Sequence, residues 1–136
     1  MARIAISIAE IFIELRDLLE QQTPTLAYMS STERTVRRFL ESLRERTDEA
    51  WTVDRMAAEC GLGRTRFAHY CKQLVNRTPL DYLALLRIER AKSLLTGTDL
   101  RVSDIAQLCG FQSSQYFSTS FRRATGLQPL QLRHSA

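Results

Sequence analysis

Apolar residues recur along most of the chain at spacings of three and four, the period of a helix with one buried face. Over residues 3 to 21, Ile4, Ile8, Ile11, Leu15 and Leu18 form such a stripe. Ala5, Phe12 and Leu19 widen it, while Arg3, Glu10, Glu14 and Arg16 interrupt it. The spacing predicts one amphipathic helix, too apolar to stand alone in water and so in need of a partner surface. The run QQTPT is expected to break it at Pro24, because proline has no N–H to give a helix interior. A second helix is then expected from Ser31 or Thr32, either of which can cap it, with Glu33 in the first turn. Val36, Phe39, Leu40 and Leu43 make its buried stripe, and TDEAW ends it.

The next stretch changes rhythm. Thr52 suits the cap of a short helix carrying Val53, Met56, Ala57 and Cys60, and Gly61 suits the left-handed backbone that follows a helix. A further helix is predicted from about Arg64 to Val75, with Phe67, Cys71 and Leu74 inward. A helix, a short glycine turn and a helix make a helix-turn-helix pattern. PLDYLALLRIERAKSLLTG then reads as a longer helix opened by Pro79, where a missing N–H is harmless. Tyr82, Leu83, Leu86, Ile88, Ala91, Leu94 and Leu95 leave it apolar nearly all round, as expected of a helix lying between two lobes.

The pattern then repeats. With a shift of 49, Val53, Met56, Ala57, Cys60 and Gly61 match Val102, Ile105, Ala106, Cys109 and Gly110. One extra turn residue, Gln112, makes the shift 50, and Gly63, Phe67, Cys71, Lys72, Pro79 and Leu80 then match Ser113, Phe117, Phe121, Arg122, Pro129 and Leu130. The expected fold is therefore all-α: two helix-turn-helix subdomains joined by a central helix and preceded by an extra N-terminal amphipathic helix. Residues 1–30 are read as that helix and its linker, and 31–136 as the tandem domain. Within the latter, the first unit spans about 52–78, the central helix about 79–96 and the second unit about 101–126.

Composition agrees: the chain has 136 residues, 44% hydrophobic and 25% charged, with only 5 Gly and 3 Pro, which argues against a many-turned β-protein. Charge adds more. The net charge is +4, yet residues 1–30 carry −2, leaving +6 for the remainder. Residues 60–80 hold Arg64, Arg66, Lys72 and Arg77 with no acid, and residues 105–136 hold Arg122, Arg123 and Arg133 with no acid. These windows contain the two copies, and acid depletion beside basic residues suits a phosphate backbone.

The three cysteines, Cys60, Cys71 and Cys109, show no CxxC pair and an odd count. Small buried thiols in a reducing compartment are expected, with neither a disulfide framework nor a metal site. Glu10 and Glu14 interrupt the N-terminal apolar run, which is too short and too charged to be a membrane span or signal peptide. A cytoplasmic location without membrane association follows. No catalytic residues and no cofactor are expected, because paired carboxylates, a phosphate-cradling glycine loop and an activated nucleophile are all lacking.

With Phe67 and Cys71 inward, Arg64, Thr65, Ala68, His69 and Lys72 lie outward; with Phe117 and Phe121 inward, Ser114, Gln115, Ser118, Thr119 and Arg122 do. In such a unit the second helix enters the DNA major groove and reads base edges. Arg can pair with guanine, an amide with adenine, and hydroxyls or a small methyl can pack on thymine. The base-reading set is therefore Arg64, Thr65, Ala68, His69, Ser114, Gln115, Ser118 and Thr119. The phosphate set is Arg66, Lys72, Gln112, Ser113, Tyr116, Arg122 and Arg123, with Arg77 a further clamp or a solvated charge.

From about Thr35 to Arg133 the chain resembles the DNA-binding domain of the AraC/XylS family of bacterial transcription regulators. The segment IAQLCGFQSSQYFSTSFRRATGLQPLQLR carries the likeness, through Ile105, Ala106, Gly110, Phe111, Tyr116, Phe117, Phe121, Arg122, Arg123, Gly126, Pro129 and Arg133. Leu132 departs from the family's usual Tyr, and Cys71 from a larger apolar residue; both are packing positions. The resemblance implies two lobes entering successive major grooves on one side of a duplex whose site need not be palindromic. It implies promoter DNA and RNA polymerase as partners. Family members often carry a separate sensing or dimerisation domain, so residues 3–21 are read as the last helix of such a domain on a fragment. The other reading is a stand-alone regulator whose extra helix pairs with a second copy or docks on the first lobe. The alternative function is a helical protein–protein interaction module without nucleic acid.

Overall fold

The computed structural model describes residues 24–135, with side chains from Ser31 onward. The helix expected over residues 3–21, and any pairing through it, lie outside the described residues. The described residues hold seven α-helices and no strand: α1 (Pro24–Ser42), α2 (Val53–Glu59), α3 (Arg64–Val75), α4 (Pro79–Gly97), α5 (Val102–Leu108), α6 (Ser114–Thr125) and α7 (Pro129–Ser135). A 3-10 turn over Leu43–Glu45 extends the end of α1.

The capping positions largely follow side-chain chemistry. The backbone N–H of Arg55 donates to Thr52 Oγ1 at 3.1 Å, that of Asp81 to Thr78 Oγ1 at 3.2 Å, and that of Tyr116 to Ser113 Oγ at 3.0 Å. Gly61 and Gly110 hold φ of +67° and +92° after α2 and α5, and Asn76 and Gly126 end α3 and α6 in the left-handed region.

One boundary differs from expectation. Ser31 and Thr32 do not cap a helix: they lie inside α1, which runs unbroken from Pro24. The described part of the helix thus carries Pro24, Ser31 and Thr32 as helical residues. Thr35 Oγ1 donates to the Ser31 carbonyl at 3.0 Å, one turn back, as hydroxyls within helices do.

Two separate cores result. The first joins Val36, Phe39, Leu40 and Leu43 to Trp51, Met56, Ala57, Phe67, Tyr70 and Cys71. The second joins Ile105, Ala106, Cys109 and Phe111 to Phe117 and Phe121. The central helix α4 serves both: Tyr82, Leu83 and Leu86 enter the first core, and Ile88, Ala91 and Leu95 enter the second. The changeover falls between Leu86 and Ile88. Leu94 and Cys60, expected inside, are half-buried at the rims. The C-terminal helix α7 is pinned to the end of α4 by Arg133, whose Nε donates to the Leu95 carbonyl at 3.0 Å and whose Nη2 donates to the Thr98 carbonyl at 3.2 Å. That gives the signature arginine a structural task.

Candidate nucleic-acid interface

The two recognition helices are built alike. In α3 and α6 the backbone N–H of Phe67 and of Phe117 donates to the carbonyl four residues back, in Gly63 and Ser113, each at 3.0 Å. Both rings are fully buried. This fixes which helical face is turned to solvent. On α3, Arg64, Thr65, Arg66, His69 and Lys72 are exposed and Ala68 is half-buried. On α6, Ser114, Gln115, Tyr116, Thr119, Arg122 and Arg123 are exposed, and Ser118, which matches Ala68 in the repeat, is half-buried like it.

Three of the four expected base readers of α6 come together with the expected phosphate pair, Arg122 and Arg123, while Ser114 stands outside the group. Gln115, Ser118, Thr119, Arg122 and Arg123 line one shallow concavity of about 520 Å³, joined by Gln128 from the loop before α7. Gln128 carries no signal of this placement in the sequence; its repeat counterpart, Thr78, stands instead as the cap of α4. Thr119 Oγ1 donates to the Gln115 carbonyl at 3.0 Å, so it presents its methyl group and an acceptor rather than a donor. Gln112, Ser113 and Tyr116 face elsewhere: they line a second cleft of about 540 Å³ toward the first lobe, beside Arg87 and Asp48. An anion entering that cleft would meet the Asp48 carboxylate as well as the guanidinium. Ser113 Oγ already accepts from Tyr116 N–H as the cap of α6, with its hydroxyl hydrogen left to donate outward.

The charge of the first reading face is less uniform than its sequence window. Asp54, on α2, places Oδ1 3.6 Å from Arg64 Nε, with both side chains mostly exposed. An acid ten residues away is folded beside the reader, which a window of contiguous residues cannot show. The three thiols stay away from this surface chemistry: burial pushes Cys60, Cys71 and Cys109 each up to about 11. Among the described residues no group of three His, Cys, Asp or Glu is placed to hold a metal ion. Nor, among them, is any helix long and apolar enough to cross a membrane.

Two lobes, each a short helix, a glycine turn and a helix with a polar outer face, define a tandem helix-turn-helix domain of the kind that reads DNA. The family model described as "Helix-turn-helix domain" matches residues 56–135. The chain belongs to that family, and within it to the AraC/XylS type of transcription regulator, a family of DNA-binding proteins and not of enzymes. The MmsAB operon regulatory protein of Pseudomonas aeruginosa is 34% identical over 87 residues, 64% of this chain and 28% of that protein. An uncharacterized helix-turn-helix-type transcriptional regulator of Escherichia coli, YijO, is 30% identical over 126 residues, 93% of this chain and 44% of that protein. The chain thus spans less than half the length of these relatives. Among solved structures, the C-terminal domain of AraT, a response regulator from Geobacillus stearothermophilus, superposes with a TM-score of 0.72 at 27% identity, covering 75% of this chain and 85% of that one. The DNA-binding domain of the global transcriptional factor AdpA, in complex with a target DNA, gives 0.72 at 28% identity, covering 74% and 90%.

Proposed function

We propose that this chain reads duplex promoter DNA sequence-specifically, with α3 and α6 in successive major grooves and different base pairs under each. The observation that carries this reading is the repeat itself. Phe67 and Phe117 hold two helices in the same way, while the outward residues differ: Arg64, Thr65, Ala68 and His69 on one, Ser114, Gln115, Ser118 and Thr119 on the other. Two scaffolds of the same plan with unlike polar faces suit a composite, non-palindromic site. The central helix has 19 residues. At about 1.5 Å each that is roughly 28 Å, and the lobes' own widths supply the remainder of a groove repeat of about 34 Å. Around the base readers, Arg66, Lys72, Arg122 and Arg123 are assigned to phosphates, with Gln112, Ser113 and Tyr116 at the edge nearer the seam.

Selection of bound duplexes from a randomised pool, followed by affinity measurement over a salt series, tests this. The expected result is a bipartite consensus, with binding that weakens steeply as salt rises, by a slope of about 0.9 per phosphate neutralised. Absence of enrichment and of salt dependence would favour a protein-docking module instead.

The chain is further assigned as the DNA-reading part of a longer regulatory system. RNA polymerase is then a partner, a separate domain senses the effector, and the acidic N-terminal segment mediates contact with that domain or with a second copy. Support for this comes from the share of the relatives the chain covers, 28% and 44%.

A further inference from the structure

We infer that Arg87 and Gly110 form an inter-lobe lock that fixes the angle and separation of α3 and α6, and so sets the spacing between the two boxes the chain accepts. This rests on the two-helix reading proposed above. Arg87 lies on α4 between Leu86, the last α4 residue in the first core, and Ile88, the first in the second. Its guanidinium reaches back to the first lobe: Nε donates to the Thr47 carbonyl at 2.9 Å and Nη2 to the Glu49 carbonyl at 3.0 Å. One turn along, Arg90 Nη1 donates to Thr47 Oγ1 at 3.2 Å, and Thr47 is fully buried.

The loop receiving these bonds is itself stiff. Arg46 Nε is 2.7 Å from Glu49 Oε2 and its Nη2 is 3.1 Å from Glu59 Oε1, tying loop to α2. Arg55 also pairs with Glu49. Trp51 Nε1 donates to the Arg46 carbonyl at 2.7 Å, and the guanidiniums of Arg46 and Arg55 lie 4.8 and 4.2 Å from its ring centroid. The carbonyls of Thr47 and Glu49 are thus presented by a braced part of lobe one.

Gly110 closes the joint from lobe two. A Cβ there would stand 2.3 Å from the Thr47 carbonyl oxygen and 2.9 Å from Arg87 Nε. Its repeat counterpart Gly61 has the same left-handed backbone, φ +67°, yet a Cβ there would meet nothing within 4 Å. Both glycines satisfy the turn after a short helix, but only Gly110 also lets the lobes touch. Because Phe111, the next residue, packs on Phe117 with ring centroids 5.0 Å apart, a shift at this contact passes to α6. A continuous α4 alone would leave each lobe free to bend and twist about the changeover point. A planar guanidinium holding two carbonyls removes that freedom in two directions.

The test uses the full chain in three variants: Arg87→Met, which keeps the aliphatic stem, Gly110→Ala, and Gly61→Ala as the control at a glycine that also has positive φ but whose Cβ would meet no contact. Residual dipolar couplings of the free protein give one alignment tensor for both lobes in the native chain and in Gly61→Ala. Arg87→Met is expected to need two tensors while each lobe keeps its own set of chemical shifts. With DNA, one base pair inserted between the selected boxes should weaken native binding by about tenfold or more, and Arg87→Met binding by about threefold or less. Gly110→Ala should shift the preferred spacing, whereas Gly61→Ala should not. A single shared tensor in Arg87→Met, or an unaltered spacing profile, overturns the lock. A native chain that binds no bipartite duplex overturns the function proposed above and leaves the tensor measurement to decide the lock.

Discussion

Phe67 and Phe117 occupy the same place in the two lobes, each fully buried one turn into its recognition helix, but they are braced by different elements. Phe67 meets Phe39 of α1 edge-on, with ring centroids 5.8 Å apart. Phe117 is held within its own unit, by Phe111 at 5.0 Å and Phe121 at 5.7 Å. The first lobe therefore depends on α1 as the second does not. Phe67→Ala and Phe117→Ala should each destabilise by about 3–5 kcal/mol through the lost transfer energy and the cavity left behind. Phe39→Ala should lower the melting of lobe one and spare lobe two, as amide exchange resolved by residue would show. A Phe67→Ala or Phe117→Ala chain that keeps its full melting temperature while losing DNA would mean the ring faces the nucleic acid.

Base reading gives a second expectation. Arg64→Ala and Gln115→Ala should each weaken binding to the selected site by about 1–3 kcal/mol and relax the base preference under that residue alone. Asp54→Asn frees Arg64 of its carboxylate neighbour. It should tighten binding to specific and random duplex alike, since an acid leaves the edge of the reading face. Equal losses on specific and random DNA for Arg64→Ala would remove it from the base readers.

Much of this arrangement could be read from residue order, for a physical reason. Helix period, glycine turns and the 49/50-residue repeat are local or self-similar signals, so α2 to α6 and the inward faces of α3 and α6 were accessible. What escaped depends on distant partners. Arg87 looks like one more charge on an amphipathic helix, and its acceptors lie 38 and 40 residues upstream in backbone carbonyls that carry no sequence signature. Gly61 and Gly110 are indistinguishable as letters; only packing separates them. Asp54 reaches Arg64 across a turn. Ser31 and Thr32 read as caps because a hydroxyl that suits a helix start is also accommodated inside a helix, as Thr35 is by donating to the Ser31 carbonyl.

The cysteines set an alkaline limit. Burial raises Cys71 and Cys109 from an ordinary value near 9 to about 11, so the fold favours the neutral thiol. Their contribution is fully present below pH 9, and it is lost as pH climbs toward and through 11, where an unfolded chain gains by ionising first. Melting temperature should accordingly fall across that interval, and less so in a Cys71→Ala, Cys109→Ala chain once its lower starting stability is subtracted. At neutral pH, alkylation of these two thiols should be slow until denaturant is added. Rapid labelling of Cys71 or Cys109 in the native chain would contradict their burial, whereas labelling of the half-buried Cys60 would not.

Ser113 allows its two assigned tasks to be separated. Its Oγ accepts from Tyr116 N–H at 3.0 Å, capping α6, and its hydroxyl hydrogen is assigned to a phosphate. The repeat supplies the comparison, since Gly63 stands at the same position of α3 with no side-chain cap. Ser113→Ala loses both tasks and should destabilise lobe two by about 1 kcal/mol. Ser113→Gly loses the hydroxyl too, but glycine at a helix cap costs only a few tenths of a kcal/mol, so its melting should stay near native. If the hydroxyl touches phosphate, Ser113→Gly should nonetheless bind all duplexes more weakly, without a change in sequence preference. If its affinity is native, Ser113 is a cap alone, and the phosphate contacts at this edge fall to Gln112 and Tyr116.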